Sequence, residues 1–281
     1  MTDRTRFEAA LQSPMSAKQL VLSLFAGLDD SRLPISSLIA GAEAFDIEAS
    51  AVRVAVNRLT KESVLHPTER GVYSIGEAGR VLYDATLAWR KIGDRVRDWD
   101  GGWFGIHTAH LGRTDRKAVR ARDRALRLSG FATLEDGLWI RPDNLSTTLL
   151  ELSADLTALG LSRRAVLFRS DELIHDQSMT IPELWNRKDL EANYRAGLAQ
   201  ISASEARLNA LPPAKAAREV LQTGSAVIDV LTHDPLLPDA LVDTGLRGDL
   251  LQAMLSYDVK GKAVWATFFE TIDASQISAT A

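Results

Sequence analysis

The chain of 281 residues has no cysteine, so disulfides and thiolate zinc sites are excluded. That suits a reducing compartment. No apolar run approaches the roughly 20 residues needed to span a bilayer, and no membrane contact is expected. The first residues, MTDRTRFEAALQSPMSAKQL, lack the apolar core of a secretory signal, so a cytoplasmic protein is expected. The five histidines show no HExxH spacing, and neither GxSxG, a P-loop nor a dinucleotide-binding glycine pattern occurs. A positive excess is also missing, because the net charge is −4.

That total argues against a strongly basic nucleic-acid binder, but its distribution is uneven. Residues 1–85 carry a net charge of −2, residues 86–141 carry +5, and residues 142–281 carry −7. A polyanion would be met by local basic patches in the first half and not by the acidic last segment. The length and the ordinary share of hydrophobic residues, 46%, predict two or three domains. Three regions are expected: 1–85, 95–175 and 180–275.

The first region reads as helices followed by a ribbon. SAKQLVLSLFAGL (16–28) predicts a helix with Leu20, Leu24 and Leu28 inward, ended by a break at Asp29–Pro34. PISSLIAGAEAF (34–45) predicts a second helix with Pro34 in its first turn. A third helix is expected over 48–62, with Asp46 as a candidate cap. Val64–Leu65 and Val72–Ile75 flank a polar tip with Pro67, Arg70 and Gly71, which is a hairpin signal. This order is that of a winged helix-turn-helix.

Within the third helix, SAVRVAVNRL (50–59) is two-sided. Val52, Val56 and Leu59 recur on one face, while Arg53, Asn57 and Lys61 fall four apart on another. A solvated amphipathic helix would look the same, but the winged-helix context favours a DNA reader. Ser50, Arg53 and Asn57 are then candidates for base edges, since arginine pairs bidentately with guanine and asparagine with adenine. Lys61 at the far end is a candidate phosphate contact. Arg58 lies on another face, with a backbone-directed or a structural role, and Arg70 would reach DNA from the wing.

The middle region predicts β-α-β-β-α-β: GWFGIHTAH (102–110), a helix over 115–130 stopped by Gly130, two strands in 131–142 about Asp136–Gly137, a helix over 144–160, and a strand over 163–173. That is the order of a ferredoxin-like fold. From Pro182 onward the chain reads as helices. The expected class is α+β: winged helix-turn-helix, ferredoxin-like middle domain and helical C-terminal region.

Four segments in order resemble the PaaX family, the transcriptional repressors of phenylacetic acid degradation. They are SAVRVAVNRLTKESVL, WDGGWFGIH (99–107) with LSGFATLEDGLWIRP (128–142), LWNRKDLEANYRAGLAQ (184–200) and HDPLLPDALV (233–242). The resemblance extends over most of the chain. It implies a homodimeric repressor that binds double-stranded operator DNA and responds to an aryl-acyl-CoA effector. Two departures stand out: the wing carries a single arginine, Arg70, and HDPLLPDALV is followed by DTGLRGDLL, where relatives continue with a tryptophan.

Arg116, Arg120, Arg124 and Arg127 form a basic face on the middle helix. It is either a solvated face paired with Asp115 and Asp123, or a seat for DNA phosphates or a CoA ligand. Most of the aromatics Trp99, Trp103, Trp139, Trp185 and Tyr194 are expected in the core. Arg116, Arg120, Trp139, Tyr194 and Arg195 are the candidate effector contacts. His107 and His110, three apart at a strand, are expected on opposite faces and not as metal ligands. A nuclease on a ferredoxin-like fold would need clustered carboxylates at the end of the first strand, where His110, Leu111 and Gly112 stand instead. No catalysis and no resident cofactor are expected. The alternative function is a protein-interaction module of the same fold that has lost sequence-specific DNA binding.

Overall fold

A computed structural model describes residues 5–27, 32–174 and 181–280. Leu28 and the start of the break after it lie outside them. The contacts gather the chain into two compact units. One takes the chain as far as Arg90, with Arg195–Val230 and the stretch from Asp249 onward. The other takes Lys91–Tyr194 and Leu231–Gly248. The C-terminal helices thus contribute residues to both.

The first unit opens with α1 (Arg6–Gln12), held by a reciprocal cap between Thr5 and Glu8, then α2 (Ala17–Gly27), β1 (Leu33–Pro34), α3 (Ile35–Glu43), α4 (Ala49–Lys61), β2 (Leu65–Glu69), β3 (Val72–Ile75) and α5 (Glu77–Leu87). The strands form an antiparallel sheet in the order β1-β3-β2. Leu20, Leu24 and Phe25 of α2, Leu38 of α3, and Val52, Val56 and Leu59 of α4 are buried together, so the helix-turn-helix rests on one core. This is the expected winged helix. Asp46 is not the cap of α4: it turns the chain in the left-handed region at φ 59°, and Glu48 takes the cap position. The sequence reading had no counterpart for α1 and α5.

The second unit contains β4 (Trp103–His107), α6 (Arg116–Leu128), β5 (Ala132–Glu135), β6 (Leu138–Pro142), α7 (Leu149–Ala158) and β7 (Val166–Ser170). The sheet order is β5-β6-β4-β7 with every pair antiparallel, which is the ferredoxin-like topology. Strand register puts Phe104, Ile106 and Trp139 on the face that meets Leu126, Leu152 and Leu156 of the two helices. On the other face the ring of Phe168 lies across Gly105, where a Cβ would stand 2.2 Å from it. Helix α7 starts later than the sequence suggests. Asp143 and Asn144 are buried and occupied with hydrogen bonds, and Thr148 with Glu151 supplies the cap.

The long helices are α8 (Arg187–Leu208), α9 (Pro213–Thr232) and α10 (Thr244–Thr280). Among the described residues no helix is long and apolar enough to cross a membrane.

The second unit has a polar core beside the apolar one. Arg141 is 1% exposed and donates to the carbonyls of Ser129, Pro142 and Pro235 and to Asn144 Oδ1. Burial pushes its guanidinium down to about 9, helped by nearby Arg95 and opposed by Asp143. Asn144 Nδ2 donates to Leu236 O at 2.7 Å. These bonds hold the 233–242 segment against the end of β6. Arg141→Met keeps an unbranched apolar stem and removes every side-chain donor. Several buried carbonyls then lose their partner, at roughly 1–3 kcal/mol for each one that water does not reach. Urea unfolding monitored by circular dichroism is expected to show a loss of about 3 kcal/mol; an unchanged midpoint would show that the arginine only fills space.

Candidate nucleic-acid interface

The exposed side of α4 is built by elimination. Val52, Ala55, Val56 and Leu59 face the core, which leaves Ser50, Arg53, Asn57, Arg58 and Lys61 in solvent. Ser50 stands in the first turn, Arg53 and Asn57 follow at successive turns, and Lys61 closes the helix. Val54 joins them at 69% exposure, between Ser50 and Asn57 on the same stripe. The sequence reading passed over Val54, although an apolar residue inside a polar stripe was a visible signal. Apolar side chains in that position suit the thymine 5-methyl group.

The cations of this face differ in how they are engaged. Arg53 and Lys61 have no ion-pair partner among the described residues. Arg58 Nε donates to Glu62 Oε1 at 2.8 Å, and Lys18 Nζ lies 3.4 Å from Glu62 Oε2. The bond from Arg58, chiefly, holds the Glu62 carboxyl below the usual range, so it is ionised at neutral pH. Arg58 is therefore tied to its own helix, and a phosphate would compete with Glu62 for it. Arg70 is exposed at the tip between β2 and β3, where Gly71 takes the turn at φ 78°. Beside it Arg32 and Glu69 form an exposed pair at 3.7 Å. The structure thus brings Ser50, Arg53, Asn57 and Lys61 together on one helix face and places Arg70 on the wing of the same unit.

The candidate effector residues are not brought together. Arg116 and Arg120 are exposed on α6. Asp115, suggested as their partner, caps that helix through the amides of Lys117 and Ala118, and Asp123 pairs with Arg122. Trp139 is buried, with the Arg127 guanidinium 5.5 Å from its ring. It borders a polar cleft with Arg113, Arg122 and Asp136, and neither Arg116 nor Arg120 lines that cleft. Tyr194 is buried and donates to Asp234 Oδ2 at 2.5 Å, while Arg195 beside it is exposed. Asp234 also accepts from Leu236 N, and Arg247 lies 3.6 Å away. Burial raises the Asp234 carboxyl, against the pull of Arg247 and Tyr194. Tyr194 is thus part of the bracing of the 233–242 segment.

His107 and His110 come together, contrary to the sequence reading. Their rings stack at 5.2 Å, and His110 Nε2 lies 2.7 Å from Arg164 O. His110 stands past the end of β4 in a turn closed by Leu111 N and Thr108 O, so strand alternation does not apply to it. Among the described residues no group of three histidine or acidic side chains could hold a metal ion. Carboxylates do gather near β4, but around arginines. Asp143 takes Arg97 and Arg169 at 2.6 Å each, and Arg169 also pairs with Asp100 and Asp171. That cluster lies at the start of β4, beside Trp103, and not at its far end near His110.

Comparison with known proteins finds two family matches on the chain. Residues 16–79 match the family described as PaaX-like protein, and residues 96–181 match the PaaX protein central Cas2-like domain. No curated protein matches. Among solved structures, the uncharacterized protein Rv0674 from Mycobacterium tuberculosis is similar in fold. It has a TM-score of 0.64 and 21% identity, over 89% of this chain and 98% of that one. With a winged helix-turn-helix and a ferredoxin-like domain in the matching places, and the two matches together covering just over half of its length, the chain belongs to the PaaX-like family.

Proposed function

We propose that the protein is a DNA-binding transcriptional regulator without catalytic activity, acting as a homodimeric repressor of an aromatic-acid catabolic operon of the phenylacetate type. The observation that carries this is the exposed face of α4, with Arg53, Val54, Asn57 and Lys61 held outward by a helix whose other side is fully buried. Membership of the PaaX-like family supports the regulatory reading. One reading helix per chain calls for two chains on a palindromic site, with half-sites about 34 Å apart or a multiple of that. With so few unpaired cations per subunit, a single half-site binds weakly and the dimer supplies the affinity. An aryl-acyl-CoA that prefers one dimer geometry would move the two helices off that spacing and release the DNA.

The test is a fluorescence-polarisation titration against the DNA upstream of the protein's own gene, at several salt concentrations, with and without phenylacetyl-CoA. Selective binding that weakens with salt is expected, as is release by the thioester. If no fragment competes better than random DNA, α4 is a surface helix and the interaction-module reading replaces this one. Variants sort the roles. Arg53→Ala and Asn57→Ala are expected to lower selective affinity about 5- to 150-fold each, because a bidentate base contact is worth roughly 1–3 kcal/mol. Lys61→Ala is expected to weaken all sequences alike and to reduce the salt slope by about one. Arg58→Ala is expected to change binding least, since Glu62 already holds that side chain.

A further inference from the structure

The second unit contains a cleft outside the winged helix. One wall is α6, with Val119, Arg122 and Arg127, and the other is the β5–β6 hairpin, with Thr133 and Trp139. Thr108 holds that hairpin to the end of β4: its amide and its hydroxyl donate to Gly137 O at 2.7 and 3.2 Å. The cavity is about 280 Å³. That is more than an inorganic ion fills and close to the lower end for small-molecule sites, about 300 Å³. It has room for an ion carried on an organic body of about one ring.

The arginines of the cleft are engaged to different degrees. Arg113 Nη2 pairs with Asp136 at 2.7 Å, but the two side chains are 56% and 80% exposed, so water screens that pair. Arg122 is the opposite case. Its side chain is 12% exposed, and only its Nε is used, in a long contact of 3.4 Å with Asp123 Oδ1. Its Nη1 and Nη2 have no partner among the described residues. Neither nitrogen is sealed in, because the one unpartnered buried side-chain atom among the described residues is Trp265 Nε1. Both therefore open on the cleft that Arg122 lines. Arg127 has no ion-pair partner among the described residues, and its guanidinium lies 5.5 Å from the centre of the Trp139 ring. That contact fixes a cation at the cleft without giving it a hydrogen-bond acceptor. Three arginines against Asp123 and Asp136 leave one positive charge in excess.

We propose that this cleft binds a small organic phosphate monoester. The phosphate lies between Arg122 and Arg127 and accepts from both guanidinium groups, with the Thr133 hydroxyl as a further donor. The organic body lies against Val119 and Trp139. A phosphate suits two guanidinium groups because its three terminal oxygens can face both forks, whereas the two oxygens of a carboxylate are satisfied by one. The charges also match. A dianion draws Arg113 from Asp136, and the exposed Asp136 turns to water. The cleft then sets three cations against Asp123, an excess of two for the two charges of the monoester. The cavity is too small for a whole CoA thioester, so this ligand differs from the effector proposed above. None of the residues belongs to the winged helix, and the site does not rest on the regulator reading.

The test is isothermal titration calorimetry of the full chain with phenyl phosphate at low ionic strength, where screening is weak. Saturable binding of one equivalent is expected. Arg122→Met and Arg127→Met are each expected to weaken it about tenfold or more, because charge-assisted hydrogen bonds are lost. Arg124→Met removes the same charge from an exposed position of the same helix, outside the cleft, and is expected to leave the affinity within about twofold. Val119→Trp fills the cleft and is expected to abolish binding. Should the half-buried Arg122 prove necessary for folding, the exposed Arg127 carries the test. No saturable binding, unchanged affinity in Arg127→Met or in a folded Val119→Trp, or an equal loss in Arg124→Met overturns the site; the last would mean that the general charge of α6 holds the anion. Benzoate has the same ring and a carboxylate, and is expected to bind about tenfold more weakly. Equal affinity for benzoate overturns the phosphate assignment, and equal affinity for inorganic phosphate overturns the organic body. Phenyl phosphate binding by a protein without selective DNA affinity sinks the regulator reading and leaves this site standing.

Discussion

The buried guanidinium of Arg141 is the point on which the second unit turns. It sits on the last strand turn of β6, donates to the carbonyls that end α6 and begin the 233–242 segment, and leaves Asn144 to hold Leu236. A buried cation is tolerated only where its donors are satisfied, so its presence fixes everything around it. Gly130, at φ 78°, stands where a Cβ would lie 2.7 Å from Pro235 O. Tyr194 and Arg247 secure Asp234 on the same segment. The segments that carry the family resemblance are therefore largely the parts of one polar core. Their residues are set by hydrogen-bond geometry more than by contact with any ligand.

The first unit follows a different rule. There the constraint is apolar: α4 must bury Val52, Val56 and Leu59 against α2 and α3. Once that face is fixed, the 3.6-residue period dictates which side chains face outward. The acidic balance of the region does not prevent a reading role, because its carboxylates are partly paired, Glu62 with Arg58 on the same helix and Asp46 with Arg218 of α9. What matters to a phosphate is the set of cations left over, and Arg53 and Lys61 belong to it.

Several features escaped the sequence for identifiable reasons. Helix α1 has only seven residues, and α5, although as long as α2, leaves its apolar Val81 and Leu82 exposed. The start of α7 was hidden because Asn144 reads as the beginning of the helix, although tertiary partners bury it together with Asp143. The stacking of His107 on His110 depends on a turn just past β4, where alternation along a strand no longer predicts direction. Arg116 and Arg120 stand apart from the cleft beside Trp139, because charge spacing reports a helix face and not what lies opposite it.

The sequence by itself determined the order of the winged-helix and ferredoxin-like elements, the two fold types and the exposed face of α4. These follow from periodicity, turn residues and motif spacing, which are local along the chain. Only the tertiary structure decided that Tyr194 braces Asp234, that arginines fill the carboxylate cluster near β4, and that Arg113, Arg122, Arg127 and Trp139 line one cleft. Those groupings join residues up to 69 positions apart. Burial and hydrogen-bond satisfaction select them, and neither is written into any short stretch of sequence.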